Sequence, residues 1–178
     1  MATIPESGAL GNDPASDAEA QARADREACL ATALDDAALS WSVIPIYHSL
    51  KTPIGRSWKP CQTRRDPRRN SRVVARMAKS GVAVVLGKVS GLCRIDPDCP
   101  AAEELLATLS AGDLPVTGEF TTRRGRGLLY GLPATLRGVF KTKAVPVEGG
   151  ELQSQAGGSY CILSPSYHNQ VQKKLPLG

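Results

Sequence analysis

The residues best suited to chemistry are two aspartates at the end of an apolar stretch, Ser90-Gly91-Leu92-Cys93-Arg94-Ile95-Asp96-Pro97-Asp98. Successive side chains of a strand point to opposite faces, so Asp96 and Asp98 share one face. Two ionised carboxylates this close repel, and a divalent cation relieves the repulsion. Hard cations take oxygen ligands, which makes Mg2+ or Mn2+ the natural guest. A plainer alternative stays open: Asp96 ends a strand, and Asp98 caps the helix that Pro100 opens.

Binding of a polyanion is the second chemistry the sequence offers. The net charge is +5, and it is unevenly spread. Residues 1–50 carry −6, residues 51–80 carry +9 and residues 81–178 carry +2. The middle block runs from Lys51 to Lys79 and includes Arg64, Arg65, Arg68 and Arg69. Such a block suits phosphates, whose neutralisation releases counterions. It also suits a solvated basic surface. A second cluster, Arg123-Arg124-Gly125-Arg126, tips the reading toward a phosphate-bearing partner.

These residues need a frame. Ser16-Asp17-Ala18-Glu19 has a capping-box pattern, and the Ala-rich stretch to Leu39 places Cys29, Leu30, Ala33 and Leu34 on one helix face. Strands are expected at Trp41–Tyr47, Val82–Leu86 and Leu92–Asp96, the last two as a hairpin. Ser71 caps a short helix over Arg72–Lys79, and a further helix covers Pro100–Ser110. Short strands follow at Glu119–Thr122 and Gly127–Gly131. Glu151–Gln155 and Ser159–Leu163 read as a last hairpin around Ala156-Gly157-Gly158. Later strands joined by short turns favour an α+β fold with mostly antiparallel pairs.

With 178 residues and 42% hydrophobic side chains, the chain has enough material for one globular domain. No apolar run is long enough to span a membrane, and Met1–Asp17 does not read as a leader. Five scattered cysteines, none spaced C-x-x-C, argue against a zinc ribbon or disulfide framework and suggest a reducing cytoplasm. The division expected is a disordered 1–15, a domain over 16–168 and a tail over 169–178.

Several segments in order resemble one family. Trp41-Ser-Val-Ile-Pro-Ile46, Lys51-Thr-Pro53 and Trp58-Lys-Pro60 with Gln62 resemble the opening of the bifunctional DNA primase/polymerase (Prim-Pol) domain, of the archaeo-eukaryotic primase superfamily. Val82-Ala-Val-Val-Leu-Gly87, Ser90-Gly-Leu92 and Asp96-x-Asp98 resemble its first catalytic motif. Gly149-Gly-Glu-Leu152, Gly158-Ser-Tyr160 and Ser164-Pro-Ser166-x-His168 resemble its third motif and the loop behind it. The resemblance runs from Ala37 to His168. It implies an RRM-like antiparallel sheet with helices, preceded by a small α/β unit.

The resemblance also implies template-directed nucleotidyl transfer in DNA replication, of a mobile element, on a DNA template or primer with nucleoside triphosphates. Glu151 becomes the third carboxylate beside Asp96 and Asp98, and together they would hold Mg2+ or Mn2+. Lys51, Arg124 and Arg126 become candidates for the triphosphate; Arg64, Arg65, Arg68 and Arg69 become candidates for DNA. Relatives commonly continue into a helicase, which here would be a separate partner.

Two departures oppose activity. The family usually carries a phosphate-contacting histidine after the glycine-bearing turn, and the aligned position is Gly127. Beside the third acid, where a basic residue is common, the strand reads Leu152-Gln153-Ser154-Gln155. The alternative is therefore a primase-like DNA-binding module with weak or absent catalysis.

Overall fold

The computed structural model describes residues 14–47, 50–66, 70, 72, 80–122, 124–163 and 166. Helix α1 spans Pro14–Ala38 and starts earlier than the capping-box pattern suggests, with Pro14 at its first position. Cys29 and Ala33 are fully buried against Val43 and Val82, with Leu30 and Ala37 packed beside them. Leu34, expected on this face, is 53% exposed instead. Positions 29, 33 and 37 form the stripe, one turn apart, and 34 falls off it.

Strand β1 (Val43–Tyr47) and strand β2 (Ser80–Val85) pair antiparallel, Val43 opposite Val84. Strand β8 (Tyr160–Ile162) pairs with the other edge of β2. This gives a sheet in the order β1-β2-β8. Its outer residues Val43 and Val82 meet α1. Ile44, Ile46, Ala83 and Val85 meet Trp58 and Cys61, which belong to or adjoin a short 3-10 turn at Lys59–Gln62. The Ser166 hydroxyl accepts from the Val82 amide at 2.8 Å and so ties the end of the described chain to β2.

The second sheet holds strands β3 (Leu92–Pro97), β4 (Gly118–Thr121), β5 (Arg126–Gly131), β6 (Lys143–Val147) and β7 (Gly150–Gln155). Their order is β4-β5-β3-β7-β6, with every neighbour antiparallel. Helix α2 (Pro100–Leu109) follows β3. The run β3-α2-β4-β5 is the βαββ half of an RRM-like sheet. A β6–β7 hairpin then brings β7 to the free edge of β3. Helix α2 covers one face through Ala102, Leu106, Leu128 and Leu152. On the other face, Leu92, Leu129 and Phe120 pack on Val84, Leu86 and Cys161 of the first sheet. Described helices with antiparallel sheets make this an α+β fold, as the strand pattern suggests.

Neither expected hairpin forms. Strand β2 lies in the first sheet and β3 in the second, with a single bridge, Gly87 to Leu92, between them. Strands β7 and β8 divide in the same way. Both edges of β2 are already taken by β1 and β8, so β3 finds its partners elsewhere. The turns at 87–91 and 156–158 are crossings between sheets. Residues 1–13 and 167–178, and nearly all of the helix expected over 72–79, lie outside the described residues.

Candidate active site

Strand β3 positions the site. Arg94 and Asp96 alternate onto the face turned away from α2, while Ile95 packs under the helix. Asp98 lies just past the strand, its carboxylate against the position of Gly150, which shares a face of β7 with Leu152. Register sets their neighbours: Arg94 lies opposite Gln155, and Asp96 opposite Gln153. Glu151 comes next and faces Asp98. The Asp98 amide donates to the Glu151 carbonyl at 3.3 Å. The Glu151 amide donates to Asp98 Oδ1 at 2.7 Å. Gly150 permits this approach, because a β-carbon there would collide with the Asp98 carboxylate and stand 3.1 Å from Cys99 Sγ.

Capping is not what Asp98 does. Cys99 holds the N-cap of α2 and makes no side-chain cap. Asp98 Oδ2 instead accepts from Arg124 Nη1 at 3.0 Å. The turn carrying Arg124 is folded onto the end of β3, where a β-carbon at Gly125 would lie 2.6 Å from the Pro97 carbonyl.

The two aspartates are tuned apart. The Glu151 amide, helped by Arg124, holds the Asp98 carboxyl below its usual range. Burial pushes the Asp96 carboxyl up, and Asp98 adds to this; Arg94 and Lys51 pull it down. Lys51 is thus near enough for its charge to act on Asp96. Its carbonyl accepts the Tyr160 hydroxyl, and the Tyr160 ring meets Trp58 edge-on at 5.0 Å.

Arg94 is the residue that sequence reasoning passed over. Its Nη2 lies 2.5 Å from Asp96 Oδ2, and the two side chains are only 14% and 17% exposed. Its guanidinium sits 5.1 Å from the centre of the Phe120 ring, a cation–π contact. Its place at i−2 from Asp96 was the available signal, since alternation puts both on one face. Glu151 Oε1 accepts from Gln153 Nε2, and Gln153 Oε1 accepts from Gln155 Nε2 at 2.6 Å. An amide ladder therefore lines β7 where a basic residue was expected.

Other candidates fall elsewhere. Arg126 lies on the α2 face, where it grips Glu103 with two bonds of 2.9 Å and Glu119 at 3.1 Å. The structure does not bring it to the carboxylates. Arg65 donates to the Ser40 carbonyl at 2.7 Å, and Arg64 is exposed nearby. Arg68 and Arg69 lie outside the described residues. Gly127 pairs with Phe120 and falls one step beyond the Ile95–Leu128 pair, opposite Asp96.

No helix among the described residues is long and apolar enough to cross a membrane. Among curated proteins no match is found. The model of the family described as bifunctional DNA primase/polymerase, N-terminal, matches residues 33–175. That span holds both sheets, the strand bearing Asp96 and the strand bearing Glu151, and by this match the chain belongs to the Prim-Pol family.

Proposed function

We propose that this primase/polymerase-type domain carries out template-directed nucleotidyl transfer on a DNA template or primer with nucleoside triphosphates, in DNA replication. The pairing of β3 with β7 supports the reading, because its register gives Glu151 and Asp96 one face and sets the Glu151 amide on the Asp98 carboxylate. Lys51 and Arg124 flank these acids and suit a triphosphate, Arg124 through a planar guanidinium that can bind two phosphate oxygens. Arg64, Arg65, Arg68 and Arg69 suit the DNA backbone.

Family chemistry calls for Mg2+ or Mn2+, which would neutralise triphosphate charge and activate a hydroxyl. The donor set is right in kind, and Asp96 Oδ1 is buried without a partner. The arrangement is not right. Asp96 Oδ2 is held by Arg94, Asp98 by the Glu151 amide and Arg124, and Glu151 Oε1 by Gln153. Among the described residues no group of three or more His, Cys, Asp or Glu side chains is placed to hold a metal. The residues as arranged do not fit the ion.

That observation favours a second reading, a DNA-binding module of the same family with weak or absent transfer. Primer-extension and de novo primer-synthesis assays with Mg2+ or Mn2+ decide between the two. Nucleotidyl transfer predicts extension by the wild type that is abolished in Asp96→Asn and Asp98→Asn. No extension, with salt-sensitive DNA binding intact, selects the second reading. In either case, replacing Arg64, Arg65, Arg68 and Arg69 together by Ala should weaken DNA binding. The salt slope should flatten by roughly 0.7–0.9 for each phosphate that is no longer neutralised. An unchanged affinity and slope would make the block a solvated surface.

A further inference from the structure

Three observations converge on Arg94. It is the partner of Asp96 at 2.5 Å, in a pair largely removed from solvent. The Phe120 ring supports its guanidinium from below. It also uses space that Gly127 leaves open: a β-carbon at 127 would stand 3.0 Å from Arg94 Nε and 2.6 Å from Phe120 Cε2. The missing side chain at 127 and the presence of Arg94 are thus one packing arrangement. Gly127 makes the room, Phe120 and Arg94 fill it, and Arg94 delivers a fixed positive charge to Asp96.

We propose that Arg94 is a tethered counter-ion that takes the place of a metal at Asp96 and closes this site to Mg2+ and Mn2+. A divalent cation approaching Asp96 meets a full positive charge a few ångströms away, in surroundings that screen it poorly. It must also break a short ion pair whose guanidinium would be left buried. Asp96 Oδ1, though unpartnered, is a single oxygen and cannot meet both costs. The inference goes with the second reading, in which transfer is weak or absent, and rests on taking Asp96 as an acid of the nucleotide site. Its test uses neither nucleotide nor DNA, so it can fail or succeed apart from that reading.

The experiment is a titration of the full chain with Mn2+ alone, followed by calorimetry and by the electron paramagnetic resonance signal of free Mn2+. Wild type, Asp96→Asn, Arg94→Met, Arg94→Gln and Arg94→Met/Asp96→Asn are compared, each checked for folding by circular dichroism. Arg94→Met keeps an unbranched stem against Phe120; Arg94→Gln keeps a polar end. Either folded Arg94 variant should bind Mn2+ about ten- to a hundredfold more tightly than wild type. The gain should vanish in Arg94→Met/Asp96→Asn. A folded Arg94 variant with no gain overturns the proposal. So does a wild type whose Mn2+ affinity drops on Asp96→Asn, because Asp96 would then ligate metal with Arg94 in place. That last comparison stands even if neither Arg94 variant folds.

Discussion

Gly87 and Gly157 touch backbone to backbone: a β-carbon on Gly87 would stand 2.7 Å from both the nitrogen and the α-carbon of Gly157. Each lies in a segment where the chain passes from one sheet to the other. Their contact is where the two crossings meet. Gly87 also has φ +87°, a conformation that costs an L-residue about 1 kcal/mol or more. Gly87→Ala should therefore destabilise by about 2–4 kcal/mol, since backbone cannot give way as a side chain can. Gly149→Ala is the control, with φ +78° and open space around it. It should cost only about 1 kcal/mol. Urea unfolding followed by circular dichroism checks both, and equal destabilisation would show that the close approach does not matter.

The same two segments mark the limit of what the sequence reveals. Lys88-Val-Ser-Gly91 and Ala156-Gly-Gly158 announce that the chain turns. They do not say which strand waits on the far side. The hint lay in β2: an unbroken apolar run, Val82 to Leu86, is a strand covered on both faces with both edges taken. Period-2 spacing fixes a face for Asp96 without knowing the partner. Asp98, however, falls past the end of β3, where alternation no longer sets its side chain and the carboxylate turns to the Gly150 position. The same alternation turns Arg126 away from the face of Gly127, toward Glu103 of α2. Arg94 escaped because a charge on a strand reads as solvated until the sheet around it is known. Phe120 belongs to β4, two strands away, and reaches Arg94 only across Gly127 of β5.

Asp98 latches β7 to β3. The expectation from repulsion alone is that deleting one carboxylate relieves the fold. The Asp98 carboxylate is instead satisfied by the Glu151 amide and Arg124. Asp98→Ala should cost about 1–2 kcal/mol at pH 7. Its folded-state pKa is depressed, so the contribution is present above the unfolded value near 4 and is lost as pH falls through the lower folded value. Wild type and variant should converge in urea unfolding on acidification. A constant gap across pH would assign the effect to packing instead.

Asp36 works in the opposite direction. It lies near the end of α1, 8% exposed, with Oδ2 buried and unpartnered. Burial, then the charge of Asp35, pushes its carboxyl up to about 6. Between about pH 4 and 6 the folded chain keeps this proton while the unfolded chain releases it, so stability falls as pH rises through that window. Above it the penalty is constant, on the order of 2–3 kcal/mol. A negative charge at a helix C-terminus adds to the cost. Asp36→Asn should raise the melting temperature at pH 7 and remove this fall. Parallel pH profiles for the two proteins would show that Asp36 is not the source.

Gly127 can be tested against the packing that surrounds it. A histidine there points to the face that bears Asp96, but it meets Phe120 and Arg94 first. Gly127→His alone should destabilise by about 1–3 kcal/mol through overpacking and should gain no nucleotide affinity. Gly127→His/Arg94→Met removes the obstructing guanidinium and its charge together. If position 127 faces the triphosphate, one charge-assisted hydrogen bond is worth about 1.5–3 kcal/mol, or roughly one to two orders of magnitude in affinity. Titrating a nucleoside triphosphate with Mn2+ into wild type, Gly127→His, Arg94→Met and the double variant separates the contributions. The expected pattern is no gain for Gly127→His, a gain for Arg94→Met and a larger gain for the double variant. A Gly127→His protein that gains as much as the double variant would mean that Arg94 yields freely and does not obstruct the site. A folded double variant no better than Arg94→Met would place the triphosphate away from strand β5.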